Sequence, residues 1–166
     1  MAKPDGIVEP NIVATLEEFL KEEASTLAPA TQRKYRSIVE LLTASINGYA
    51  YQYLGDADSE KYDRLYNEEV TEFCDIFGPE YIVTNLNEFL SYFMVRKVIA
   101  GKDMLRAAGT VTKKLVTWLE CKGYVTPSAS LSIAKTAGDA ARLLPKAEDC
   151  AQALYEFAQS QFVGVS

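Results

Sequence analysis

Tyr35-Arg36-Ser37-Ile38-Val39-Glu40-Leu41-Leu42-Thr43-Ala44-Ser45-Ile46-Asn47-Gly48-Tyr49 decides the fold class of this chain. Tyr35, Ile38, Val39, Leu42, Ile46 and Tyr49 recur at three- and four-residue steps, which places them on one stripe of an α-helix and on alternating faces of a strand. Thr31, just upstream, is the expected cap, and Gly48 marks where the helix ends or bends. The same period extends in both directions. Upstream, a helix is expected from about Asn11 to Ala24, with Leu16, Phe19 and Leu20 inward. Ser25 to Ala30 forms the break between the two, and residues 1–10, with two prolines and a glycine, read as a loose arm.

Downstream, Gly55 to Ser59 turns the chain into a third helix, expected to run unbroken over 57–77. Its buried stripe is Tyr62, Leu65, Tyr66, Val70, Phe73, Cys74 and Phe77, and Gly78-Pro79 closes it. Tyr81-Ile82-Val83 reads as a short apolar connector, the one strand-like stretch, too isolated to imply a sheet. Thr84 or Asn85 then caps a helix with Leu86, Phe89, Leu90, Phe93, Met94 and Val98 inward, broken at Ala100-Gly101-Lys102. A further helix runs to about Lys122, with Leu105, Ala108, Val111, Leu115, Trp118 and Leu119 inward and Gly123 as its C′ residue. Beyond Pro127 an alanine-rich pair of helices is expected at about 132–144 and 146–161. The narrow stripe Ala147, Cys150, Leu154, Phe157 fits packing onto the main bundle or a dimer seam. The expectation is an all-α bundle of five to seven helices with short sequential connections.

Composition narrows the chemistry. With 48 % hydrophobic and 24 % charged residues over 166 positions, the chain is an ordinary globular one. No apolar run approaches the roughly 20 residues that span a bilayer, and the first residues carry no export signal, so a cytoplasmic, membrane-free protein is expected. Cys74, Cys121 and Cys150 are odd in number and widely spaced, which suits a reducing compartment and small core residues. There is no histidine, so Ser-His-Asp and Cys-His triads, His-ligated zinc and H-E-x-x-H are excluded. No glycine-rich phosphate loop is present. Adjacent acids such as Glu17/Glu18 and Glu68/Glu69 diverge around a helix and do not converge on a metal or a water. The tyrosines lack the arginine and histidine partners of a tyrosine nucleophile. A non-enzyme without metal or cofactor is expected.

The net charge is −6, but its distribution is polar. From Gly55 to Glu80 nine acids face only Lys61 and Arg64. From Ser91 to Lys122 the balance reverses: Arg96, Lys97, Lys102, Arg106, Lys113, Lys114 and Lys122 face only Asp103 and Glu120. Arg33, Lys34 and Arg36 open the second helix, where cations are mildly unfavourable with the helix dipole. They invite an anionic partner, or else pair with the acidic third helix. On nucleic acid, such cations supply salt-sensitive phosphate contacts, and a side chain such as Gln32 touches base edges.

The order of residues resembles a known family. Glu17-Glu18-Phe19-Leu20, then Ala28-Pro29-Ala30-Thr31-Gln32-Arg33-Lys34-Tyr35-Arg36 with Ile38-Val39 and Leu42, is similar to the opening of the core-binding domain of tyrosine recombinases (phage-integrase type). Thr84-Asn85-Leu86-Asn87-Glu88-Phe89-Leu90 resembles a later helix of that domain, and Gly109 to Val125 resembles its closing helix. The likeness covers about residues 12–127. It implies a small SAM-like orthogonal helical bundle that clamps one face of duplex DNA with its second and last helices. By position it implies Thr31, Arg33, Lys34 and Arg36 on one contact helix and Lys102, Arg106, Lys113 and Lys114 on or just before the other. The acidic helix at 57–77 is longer than that family carries there, and the catalytic half is absent. Three segments are therefore expected: an arm over 1–10, a core-binding-like domain over 11–127 and a helical extension over 128–166. The expected function is a non-catalytic DNA-binding module with double-stranded DNA as partner. The alternative is a helical protein-interaction or regulatory domain that does not bind DNA, with a homodimer or partner protein seated on the C-terminal helices.

Overall fold

The computed structural model describes residues 4–97 and 101–127. Among them the regular elements are all helices, with a single isolated bridge between Asn67 and Thr71 and no strand. The expected C-terminal helical pair and the seam at Ala147 to Phe157 lie outside the described residues.

Helix α1 (Ile12–Ala24) starts where its cap requires. Asn11 stays extended, and its Oδ1 accepts the Ala14 N–H at 2.8 Å, satisfying one of the otherwise unpaired first-turn donors. The same side chain donates from Nδ2 to the Asp75 carbonyl, so the cap also ties α1 to the middle of the chain. Helix α2 (Pro29–Tyr49) begins before Thr31, because Pro29 has its φ already set for a first helical position and has no N–H to lose there. Ala28 ahead of it is extended, as a residue before proline prefers. Gly48 does not end α2. The helix passes through it to Tyr49 and tightens into a 3₁₀ turn over Ala50–Tyr53.

The expected single helix over 57–77 is not what forms. Helix α3 (Asp56–Leu65) stops, Tyr66 turns extended, and the chain reverses at Asn67–Thr71 before α4 (Phe73–Ile76). Local polar groups explain the break. Asn67 Oδ1 accepts the Glu69 N–H at 3.1 Å, and Asn67 and Thr71 exchange backbone hydrogen bonds at 2.8 and 2.9 Å. Glu72 and Asp75 then form a reciprocal capping box that restarts the helix. Val70, assigned inward on the helical stripe, sits on the turn and is 76 % exposed. No α3 residue is fully buried; Tyr62 and Leu65 lean on the core from its edge.

The connector reading of Tyr81-Ile82-Val83 is also overturned, since these residues lie inside α5 (Glu80–Glu88). Ile82 and Val83 are buried, so tertiary packing outweighs the weak helix propensity of the β-branched run. Thr84 and Asn85 are therefore helix-interior residues, and Asn85 Nδ2 donates back to the Tyr81 carbonyl at 2.6 Å. The helix continues as a π-helix over Phe89–Lys97. Helix α6 (Lys102–Cys121) follows Gly101 and ends as expected at Gly123. Gly123 holds φ +78°, a conformation that costs glycine nothing. Its N–H reaches the Glu120 carbonyl and that of Tyr124 reaches Leu119, the paired bonds of a Schellman cap.

Helix α2 is the centre, packing on α1, α4, α5 and α6. One core runs through Leu16, Phe19, Ile38, Leu42, Ile46, Phe73, Phe89, Val111 and Leu115. The described part of the arm is pinned to it. Val8 N–H donates to Ile76 O at 3.0 Å and the Arg64 guanidinium to Asp5 O at 3.3 Å.

Candidate nucleic-acid interface

Two shallow clefts share a wall where α1, α2 and α6 meet. One, of about 230 Å³, is lined by Leu20, Glu23, Leu27, Gln32, Arg33 and Arg36 around Tyr35. The other, of about 480 Å³, lies between Tyr35 and α6 and is lined by Thr110, Lys113, Lys114, Thr117, Trp118 and Cys121. Tyr35 and Glu23 belong to both. The shared wall is rigid: the buried Phe19 ring lies 6.2 Å from Tyr35 and 5.6 Å from Trp118, so three aromatics from three helices hold one another in place. Burial, and then the nearby Glu23 charge, push the Tyr35 hydroxyl's pKa up, so it stays a neutral hydrogen-bonding group.

Cations from the two expected contact helices therefore rim neighbouring clefts. Arg33, Lys34, Lys113 and Lys114 are exposed, and among the described residues no carboxylate lies within ion-pair distance of any of them. Arg36 is different: its NH1 reaches Glu17 Oε1 of α1 at 3.3 Å. That pairing is with α1, and among the described residues none of the α2 cations pairs with acidic α3. Lys102 and Arg106 are exposed on α6 but line neither cleft. At 1.5 Å per residue they lie roughly 10 to 17 Å along the helix from Lys113. Arg106 also meets Asp103 at 3.8 Å. Thr31 is half-buried and lines neither cleft.

Gln32 has a structural task. Its Nε2 donates to the Ala24 and Leu27 carbonyls at 2.9 and 2.8 Å, closing the end of α1. The amide is thus spent inside the molecule, leaving its oxygen for other partners.

Lys122 belongs to a separate cluster that sequence reasoning missed. Its Nζ lies 2.6 Å from Glu22 Oε1 and 3.4 Å from Glu18 Oε1, and the Trp118 indole N–H donates to Glu22. Hydrogen bonds from Lys122 and Trp118 hold the Glu22 carboxyl below its ordinary range, and the bond to Glu22 raises Lys122. This lysine is matched at home, and it straps the end of α6 to α1. Residues 96 sequence positions apart meet in the Trp118–Glu22 bond, so no local pattern announces it.

The cysteines divide. Cys74 is a buried core residue whose thiol burial keeps protonated. Cys121, expected in the core, is exposed at the end of α6. Cys150 lies outside the described residues. Among the described residues no group of carboxylates and cysteines is arranged to hold a metal ion, and no helix is long and apolar enough to cross a membrane. Comparison with protein-family models, curated proteins and solved structures gives no match.

Proposed function

We propose that this helical bundle is a non-catalytic nucleic-acid-binding module that grips duplex DNA across the α2–α6 face, in the manner of a recombinase core-binding domain. The observation that supports this most is the meeting of two cation-rimmed clefts at Tyr35. Arg33 approaches from α2 and Lys113 and Lys114 from α6, and no carboxylate of the described residues pairs with them. Cations with no carboxylate partner among the described residues are available to displace counterions from phosphate. Thiols without disulfide partners suit a reducing, cytoplasmic setting for this role. A second reading, a helical interaction module, draws on Glu23 in the shared wall and on the net charge of −6.

A salt titration of binding to generic duplex DNA, followed by fluorescence anisotropy, separates the two readings. Three phosphate contacts, from Arg33, Lys113 and Lys114, give a log–log salt slope of about −3. Arg33→Glu combined with Lys113→Glu should abolish most of that slope, with the melting temperature unchanged. Absence of binding at low salt refutes the DNA reading.

A further inference from the structure

On the acidic side of the molecule the tyrosines are stacked, open to solvent and continuous with the core. The Tyr51 and Tyr62 rings lie 5.8 Å apart and 9° from parallel, and Tyr66 follows at 5.1 Å from Tyr62. Tyr62 in turn touches buried Phe73, which packs on Phe77 and Tyr81. The outer members are unusually open: Tyr51 is 45 % exposed, Tyr66 42 % and nearby Tyr53 66 %. Tyr53 shares a cleft of about 330 Å³ with Tyr81, Asn85 and Glu88, so the aromatic surface continues around the α5 side.

A row of rings anchored at its inner end presents aromatic faces with little conformational entropy left to lose. Carboxylates border it. Asp63 and Glu72 lie close enough to raise the Tyr62 hydroxyl's pKa, after burial and the flanking tyrosines, and Asp58 accepts the Tyr81 O–H. The cluster already holds one cation of its own, Lys61 Nζ, 5.1 Å from the centre of the Phe77 ring.

We propose that the Tyr51–Tyr62–Tyr66 row and the neighbouring Tyr53 cleft form a docking surface for an arginine-rich segment of a partner protein. Charge complementarity selects the occupant: nine acids against two cations between Gly55 and Glu80 repel nucleic acid and draw a basic chain. Arginine suits the surface better than lysine, because a planar guanidinium stacks on a ring while its edge bonds a carboxylate. The surface lies apart from the α2–α6 clefts and shares no lining residue with them, so it stands or falls independently of the DNA reading.

The test is fluorescence anisotropy of labelled arginine-based and lysine-based peptides of equal length and charge, titrated with the full chain. The arginine peptide should bind roughly 3- to 10-fold tighter than the lysine peptide, as one or two stacked cation–π contacts supply. Tyr51→Leu with Tyr53→Leu should erase that preference while the chain stays folded: Tyr53 is mostly exposed, and loss of the Tyr51–Tyr62 stack should lower the melting temperature by only a few degrees. Arg33→Glu with Lys113→Glu should leave it intact, which separates this result from DNA binding. Equal affinity for both peptides, insensitive to the tyrosine changes, overturns the proposal in favour of diffuse charge attraction. No binding overturns it outright. Concentration-dependent self-association in sedimentation, lost in the tyrosine variants, would make a second copy the occupant and overturn it too.

Discussion

Replacing Thr112 by valine should stabilise this protein. Thr112 lies on the inner face of α6, 1 % exposed, and its Oγ1 has no hydrogen-bond partner among the described residues. Other helical threonines here do what a hydroxyl in a helix ordinarily does. Thr15, Thr43, Thr110 and Thr117 each donate to the carbonyl four residues back, at 2.8 to 3.1 Å. Thr112 makes no such bond, so its hydroxyl lost water on folding and recovered nothing. A buried polar group left unsatisfied costs about 1–3 kcal/mol. Valine has the same branched shape and nearly the same rotamer restriction, so helix propensity and packing change little. The expected gain is about 1 kcal/mol, or roughly 2–4 °C in melting temperature for a chain of this size. Chemical denaturation checks it: the midpoint should rise while the slope m stays fixed. Thr112→Ser is the control. It keeps the orphan hydroxyl, removes a buried methyl and should lose about 1 kcal/mol. A valine variant less stable than the parent by half a kcal/mol or more would refute the reasoning and assign that hydroxyl a partner.

Two further predictions concern local features. The Glu22 carboxyl is depressed below its ordinary value of 4.5, so its contribution is present above that value and is lost as pH falls through the lower folded one. Lys122 is raised above 10.5, so its contribution is present below 10.5 and fades as pH climbs through the folded value. Denaturation midpoints measured against pH should show an acid-side decline that Glu22→Gln flattens. Val70→Lys should change stability by less than about 0.5 kcal/mol, as befits an exposed turn position; the core position of an unbroken helix would cost several times that in the same melting experiment.

How much was legible in the sequence follows from which forces act locally. The α2 stripe, the Asn11 cap of α1, the Schellman end at Gly123 and the polar division of charge are all set by residues within a turn or two of one another. Periodicity, a capping side chain and a glycine free to adopt positive φ are properties a chain carries before it folds. The sequence by itself therefore determined the all-helical class, most of the core and the absence of histidine chemistry.

Where two local readings compete, only the tertiary structure decided. Residues 57–77 carry a helical period and also an Asn67 turn with a capping box behind it. The turn prevails because its side chains satisfy backbone groups on both sides of the break while Phe73 and Phe77 still reach the core. Tyr81-Ile82-Val83 prefers strand by propensity, and burial against the bundle makes it helix. The cations followed the same division. Their presence is in the composition, but their pairing depends on which helix lies alongside. Arg36 found Glu17, Lys122 found Glu22, and Arg33, Lys113 and Lys114 came to rim clefts that meet at Tyr35. Coulomb attraction and hydrogen bonding act over a few ångströms of space whatever the distance along the chain, so the fold alone selects which charges are matched and which face outward.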